Sequence, residues 1–170
     1  MKALRGRIIK YPDNVNTDDI IPARYLSGMD LDLMADHIFE DYDAGFKEKL
    51  KERDILVAGK NFGCGSSREH AVIVLKKAGV RAVIAESFAR IFFRNSINQG
   101  LLVLQLDGPS GPFEDGDLVR IDLEGALVED ETKSSTHPLK PLPPFLMPIL
   151  SEGGLVPYLK KRKGWGMEGA

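Results

Sequence analysis

The side chains best suited to chemistry stand together at 61–70, in Asn61-Phe62-Gly63-Cys64-Gly65-Ser66-Ser67-Arg68-Glu69-His70. Gly63 and Gly65 allow backbone torsions that residues with a Cβ avoid, and they let a ligand approach the main chain closely. A helix that starts just beyond them leaves its first amides without partners and carries the positive end of its dipole there. With Ser66, Ser67 and Arg68 alongside, those amides would attract an anion, a carboxylate or a phosphate. A structural explanation competes with this one. Ser66 followed three residues later by Glu69 matches a capping box, which needs no ligand. Capping accounts for one serine, however, and gives no reason for Ser67, Arg68 or the two glycines.

Several elements must hold this stretch in place. Asp54 to Lys60 reads as a buried strand, and Ala71 to Ala78 as a helix with Gly79 at its left-handed C-cap. Arg81 to Ala85 is a second strand. Ser87 can cap a further helix bearing Phe88, Ile91, Phe92 and Asn95, which Gly100 ends before the strand Leu101 to Leu106. Such alternation implies parallel pairing with helices covering the sheet. Ligands of such sheets sit beyond the carboxyl ends of the strands, the end at which Gly63 to Arg68 falls.

Upstream, Gly6 to Lys10 has strand character and Tyr11 to Asn14 is turn chemistry. Asn16-Thr17-Asp18-Asp19 can cap a helical turn that Pro22 cuts short, leaving Ala23 to Asp30 as a loop. Leu31, Met34, Ala35, Ile38, Phe39 and Tyr42 recur at three and four, so a helix is expected up to Gly45, with Phe46 to Arg53 as a charged connector. Downstream, Glu124-Gly125 joins two strands in a hairpin. Half of the prolines fall between Pro138 and Pro148, which predicts an extended segment anchored by Leu139, Leu142, Phe145 and Leu146. A short helix from about Val156 to Arg162 follows, and Gly164 to Ala170 is expected to fray. The sum, over 1–170, is a single α/β domain with a central, largely parallel sheet, flanking helices and additional hairpin elements.

Composition removes several classes of function. Acids and bases are interspersed at a net charge of -2, which leaves no electrostatic footprint for nucleic acid. No apolar stretch approaches membrane-spanning length, and Met1 to Lys10 lacks the apolar core of a signal peptide, so a cytoplasmic protein is expected. Cys64 is the only cysteine, so the chain alone supplies neither an internal disulfide nor the several thiolates of an iron-sulfur cluster. His37, His70 and His137 show no metal-ligand spacing and default to structural roles. The glycines are not followed by a Walker lysine, the third glycine of the dinucleotide fingerprint is missing, and Ser66 lacks the flanks of a nucleophile elbow. The residues themselves therefore imply an anion-binding α/β domain with candidate catalytic serines.

Three motifs in order add a resemblance. Asn16-Thr17-Asp18, Gly63-Cys64-Gly65-Ser66-Ser67-Arg68-Glu69-His70 and Glu86-Ser87-Phe88-Ala89-Arg90-Ile91-Phe92-Phe93-Arg94-Asn95 together resemble the small subunits of 3-isopropylmalate isomerase (dehydratase), which are similar to the swivelling domain of aconitase. The likeness covers nearly all of Gly6 to Leu106 and continues through Glu152 to Leu155 and Tyr158-Leu159. It implies dehydration and rehydration of a malate-type acid in leucine biosynthesis, with Ser66 as the base and Asp18 as an acid orienting a histidine or water. Ser67 and Arg68 would bind a substrate carboxylate, and Arg24, Tyr25, Leu26 and Ser27 would contact the variable side chain. The chain departs from a common pattern at Ser27, where some relatives carry Arg. The resemblance further implies a 4Fe-4S cluster held by three cysteines of a separate large subunit, none bound by this chain, and a heterodimer or dimer of heterodimers. Small subunits of homoaconitase or of another 2-alkylmalate or citramalate hydro-lyase fit the same motifs. A non-catalytic anion-binding module is the alternative of another class.

Overall fold

The structure is a computed structural model and describes residues 3–28, 30–51 and 54–162. Its frame is a seven-stranded sheet in the order β4-β3-β2-β1-β5-β6-β7. Strands β1 (Leu4–Lys10), β2 (Ile55–Ala58), β3 (Ala82–Ala85) and β4 (Leu102–Gln105) run parallel, while β5 (Leu118–Asp122), β6 (Leu127–Asp130) and β7 (Ser135–Pro138) extend the other edge of β1 antiparallel. The uninterrupted apolar runs of β2 and β3 match their burial, for every residue of both is fully covered. Strands shielded on both faces have no solvent side for alternating polar residues. The hairpin forms at Glu124-Gly125 as its turn chemistry implies, with Asp122 Oδ1 accepting from the amides of both residues at 3.0 Å.

The helices are short. They are α1 (Thr17–Ile20), α2 (Leu31–Asp36), α3 (Phe46–Leu50), α4 (His70–Ala78), α5 (Arg90–Gln99), α6 (Met147–Ser151) and α7 (Leu155–Lys161). Gly79 and Gly100 both take left-handed torsions at the ends of α4 and α5, as their C-cap positions imply.

Four expectations from local pattern are corrected. The apolar stripe from Leu31 does not stay helical to Tyr42: α2 stops at Asp36, and Phe39 turns to a φ of 55°. There Phe39 is wholly buried, its ring stacks on Tyr11 at 4.8 Å and contacts Phe46 at 4.7 Å, and its amide donates to Ile20 at 2.8 Å. Long-range burial of one large ring outweighs the left-handed strain, which is on the order of 1–3 kcal/mol. Phe46 to Leu50 is the helix α3 instead of a connector, because Phe46 plugs this same cluster; Glu52 and Arg53 lie outside the described residues. Phe145 is 71% exposed and anchors nothing, whereas Leu139 is buried and Leu142 and Leu146 pack on the core. Ser87 does not cap α5, whose N-cap is Ala89; its hydroxyl accepts from the Asn61 amide at 2.8 Å. The expected fraying of 164–170 also lies outside the described residues.

Candidate active site

Because β1, β2 and β3 are parallel neighbours, the loops leaving them emerge at one end of the sheet and continue its pairing there. Asn16 and Cys64 form a parallel bridge, as do Phe62 and Phe88. The Gly63 amide donates to Val15 at 2.7 Å, the Thr17 amide to Cys64 at 2.8 Å, and the Phe62 amide to Ser87 at 3.0 Å. The glycine stretch is thus threaded between two partners. Gly63, at a φ of 78°, lies against Phe92, and a Cβ there would stand 2.1 Å from that ring. No side chain larger than hydrogen fits at that position.

Ser66 is not a cap. Helix α4 begins at His70, its N-cap is Glu69, and no side chain caps it. The competing structural reading, a Ser66–Glu69 capping box, does not form. A reciprocal box forms instead at α1, where Asn16 Oδ1 accepts from the Asp18 and Asp19 amides at 2.7 and 2.9 Å and the Asn16 amide donates to Asp19 Oδ2 at 2.9 Å. The reason lies in what holds the serines. The Ser66 amide donates to Thr17 Oγ1 at 3.0 Å, and the Ser67 carbonyl accepts from Asn95 Nδ2 at 3.2 Å, which ties both residues to other elements ahead of the helix. The amides from Ser67 to Ala71 donate to no acceptor among the described residues. Arg68 is exposed and forms no ion pair there. An uncapped helix start beside an uncommitted guanidinium is suited to a carboxylate.

A narrow cleft opens at this point. It brings together the expected Ser66, Arg68, Asp18 and Leu26, and adds Thr17, Ile21, Ala71 and His70. Ser66 is half-buried, while Asp18, Ser67, Arg68 and Ser27 are exposed. Arg24 and Tyr25 have their polar ends elsewhere. The Arg24 guanidinium meets Asp41 Oδ1 at 2.8 Å, and the Tyr25 hydroxyl donates to Glu40 at 2.7 Å while its ring stacks on His37 at 4.1 Å. The hydrogen bonds from Tyr25 and then His37 hold the Glu40 carboxyl below its ordinary pKa. Of the loop 24–27, Leu26 alone lines the cleft. The Cys64 thiol lies 3.6 Å from the Asn14 carbonyl, and burial, with Asp19 nearby, raises its pKa. That makes it a poor thiolate at neutral pH.

The sequence had pointed past Thr17 and His70. Thr17 stands inside the Asn-Thr-Asp motif, but its burial and its bond to Ser66 are tertiary facts. The His70 Nδ1 atom is buried with no hydrogen-bond partner. Its place four residues after Ser66 was the signal available.

A model of the aconitase C-terminal domain matches residues 12–109, more than half of the chain, including β2, β3 and β4 and the loops that follow β1 and β2. This chain belongs to that aconitase family. Over nearly its full length this family member is similar to proteins named 3-isopropylmalate dehydratase small subunit. It is 47% identical to that of Thermodesulfovibrio yellowstonii, covering 94% of this chain and 95% of the relative, and 50% identical to that of Halothermothrix orenii, covering 92% and 95%. The crystal structure of 3-isopropylmalate dehydratase from Methanocaldococcus jannaschii superposes with a TM-score of 0.89 at 46% identity, covering 95% of this chain and 96% of that one. The mixed sheet with flanking helices is therefore the fold of that relative.

The described residues hold no group of three or more His, Cys, Asp or Glu placed for a metal ion, and the whole chain has one cysteine. They do not fit an iron-sulfur cluster. Nor is any helix among them long and apolar enough to cross a membrane.

Proposed function

We propose that this chain is the small subunit of a two-subunit hydro-lyase that converts 2-isopropylmalate to 3-isopropylmalate in leucine biosynthesis, working in the cytoplasm as a heterodimer or a dimer of heterodimers. One observation carries the reading beyond the names of the relatives. Ser66 has a hydroxyl committed neither to a cap nor to any partner among the described residues, and it shares a cleft with Arg68, Asp18 and the apolar Leu26.

Each group then has a task. Arg68 grips a substrate carboxylate with two parallel N–H bonds, and the free amides from Ser67 onward add donors. The carboxylate so held fixes the neighbouring carbon against Ser66. Ser66, as alkoxide, takes the proton from that carbon, the electron pair forms the alkene, and the hydroxyl departs from the adjacent carbon. In the reverse sense with the positions exchanged, the proton returns from Ser66 to the carbon that lost the hydroxyl and hydroxide adds to the carbon that lost the proton, which gives the isomer and leaves Ser66 as alkoxide again. Leu26 and Ile21 offer an apolar wall that suits an alkyl branch better than the charged arm of a homocitrate-type acid. Help for the departing hydroxyl comes from outside this chain, and a 4Fe-4S cluster on the large subunit is its proposed source. The exposure of Asp18, Ser67 and Arg68 leaves them open to such a partner.

Ser66→Ala in the reconstituted enzyme tests the assignment. Loss of a base predicts a fall in kcat of about 10²–10⁴-fold with assembly intact. Unchanged turnover would remove Ser66 from the reaction.

A further inference from the structure

We infer that Thr17 is a positioning residue for the reaction, the clamp that fixes the backbone of Ser66. The inference rests on the reading of Ser66 as base.

Ser66 follows two glycines with left-handed torsions, φ 78° at Gly63 and 98° at Gly65. Glycine pairs leave a chain free to sample many conformations, whereas a base must be held to within about 0.5 Å of its productive position. Something has to remove that freedom. Thr17 grips the chain on both sides of Gly65: its amide donates to the Cys64 carbonyl at 2.8 Å, and its hydroxyl oxygen accepts from the Ser66 amide at 3.0 Å. The fit is close, for a Cβ on Gly65 would lie 3.3 Å from that same oxygen.

The clamp is itself rigid. Thr17 is 5% exposed and occupies the first position of α1, which the Asn16–Asp19 box closes at one end. At the other end the Ile21 amide donates to Thr17 at 3.0 Å, the Ile20 carbonyl accepts from Phe39, and Ile20 and Ile21 are buried. A single helical turn is too short to be stable by itself. Its capping box and its buried isoleucines make it a fixed post for the loop.

Thr17→Val keeps the shape and removes the hydroxyl; Thr17→Ser keeps the hydroxyl. In the assembled enzyme, Thr17→Val is expected to lower kcat about 10- to 100-fold with KM within about threefold, on the scale of a misplaced reacting group. Thr17→Ser is expected to retain turnover within about threefold, and hydrogen exchange at the Ser66 amide should be fast in the valine variant alone. In a Ser66→Ala background Thr17→Val should have no further effect, since the group it positions is gone. A valine variant with normal kcat, or one that lowers the rate equally in both backgrounds, would overturn the inference. Ser66→Ala with full activity would instead overturn the base assignment on which it rests. Should the valine variant not assemble, Thr17→Ala against Thr17→Ser makes the same comparison of one hydroxyl.

Discussion

At the scale of the residue, Arg68 shows how much of the account depends on a group that has no partner. Some surface guanidiniums are engaged, Arg24 with Asp41 at 2.8 Å and Arg120 with Glu129 at 2.9 Å, while the exposed Arg90 and Arg94 are, like Arg68, without an ion pair among the described residues; what sets Arg68 apart is its place in the cleft with Ser66. Arg68 has no such partner among the described residues and stands beside amides that are equally free. Lysine in its place keeps the charge but loses the planar fork, so Arg68→Lys is expected to lower kcat/KM of the reconstituted enzyme about 10- to 100-fold, chiefly through KM. Steady-state kinetics at matched assembly would check this, and an unchanged KM would mean that Arg68 does not bind the substrate. The types of these residues were readable from the sequence; their availability was not. Ser66–Glu69 and Asn16–Asp19 carry the same capping signature, and local pattern has no means to choose between them. The choice is made by bonds across 49 residues, from the Ser66 amide to Thr17 Oγ1, and across 28, from Asn95 to the Ser67 carbonyl.

At the scale of the element, the parallel strands and their helices followed from the apolar runs and the glycine stops, because β2 and β3 are covered on both faces and α4 and α5 end in left-handed glycines. Pattern failed where one ring had a distant destination. Phe39 fits a helical stripe, yet it leaves the helix to pack between Tyr11 and Phe46. The glycine loop is the reverse case, a local irregularity that the sequence announced and packing enforces. Gly63→Ala combines a left-handed torsion with a Cβ directed at Phe92, and it is expected to cost about 2–4 kcal/mol of stability. Urea unfolding of the purified variant would measure it. A change below about 0.5 kcal/mol would show that Phe92 moves aside freely.

At the scale of the whole molecule, one end of the sheet collects the loops of β1, β2 and β3, and the segments after β1 and β2 line a narrow cleft there with exposed groups at its side. Asp18, Ser67 and Arg68 are exposed, and the described residues hold no group of three or more His, Cys, Asp or Glu placed for a metal ion. On the proposed reading, a base and a carboxylate grip on this chain make half of a dehydratase. Relatives that carry the name small subunit agree with this division over 92–96% of the chain. In the sequence, the single cysteine argues against a cluster held by this chain alone; how Asp18, Ser66 and Arg68 come into one cleft needed the fold. The most direct measurement is turnover of 2-isopropylmalate by the purified chain mixed with a cluster-bearing large subunit, set against each component alone. The account predicts turnover in the mixture and none by either subunit by itself. Turnover by a single subunit, or none from an assembled mixture with its cluster intact, would contradict it.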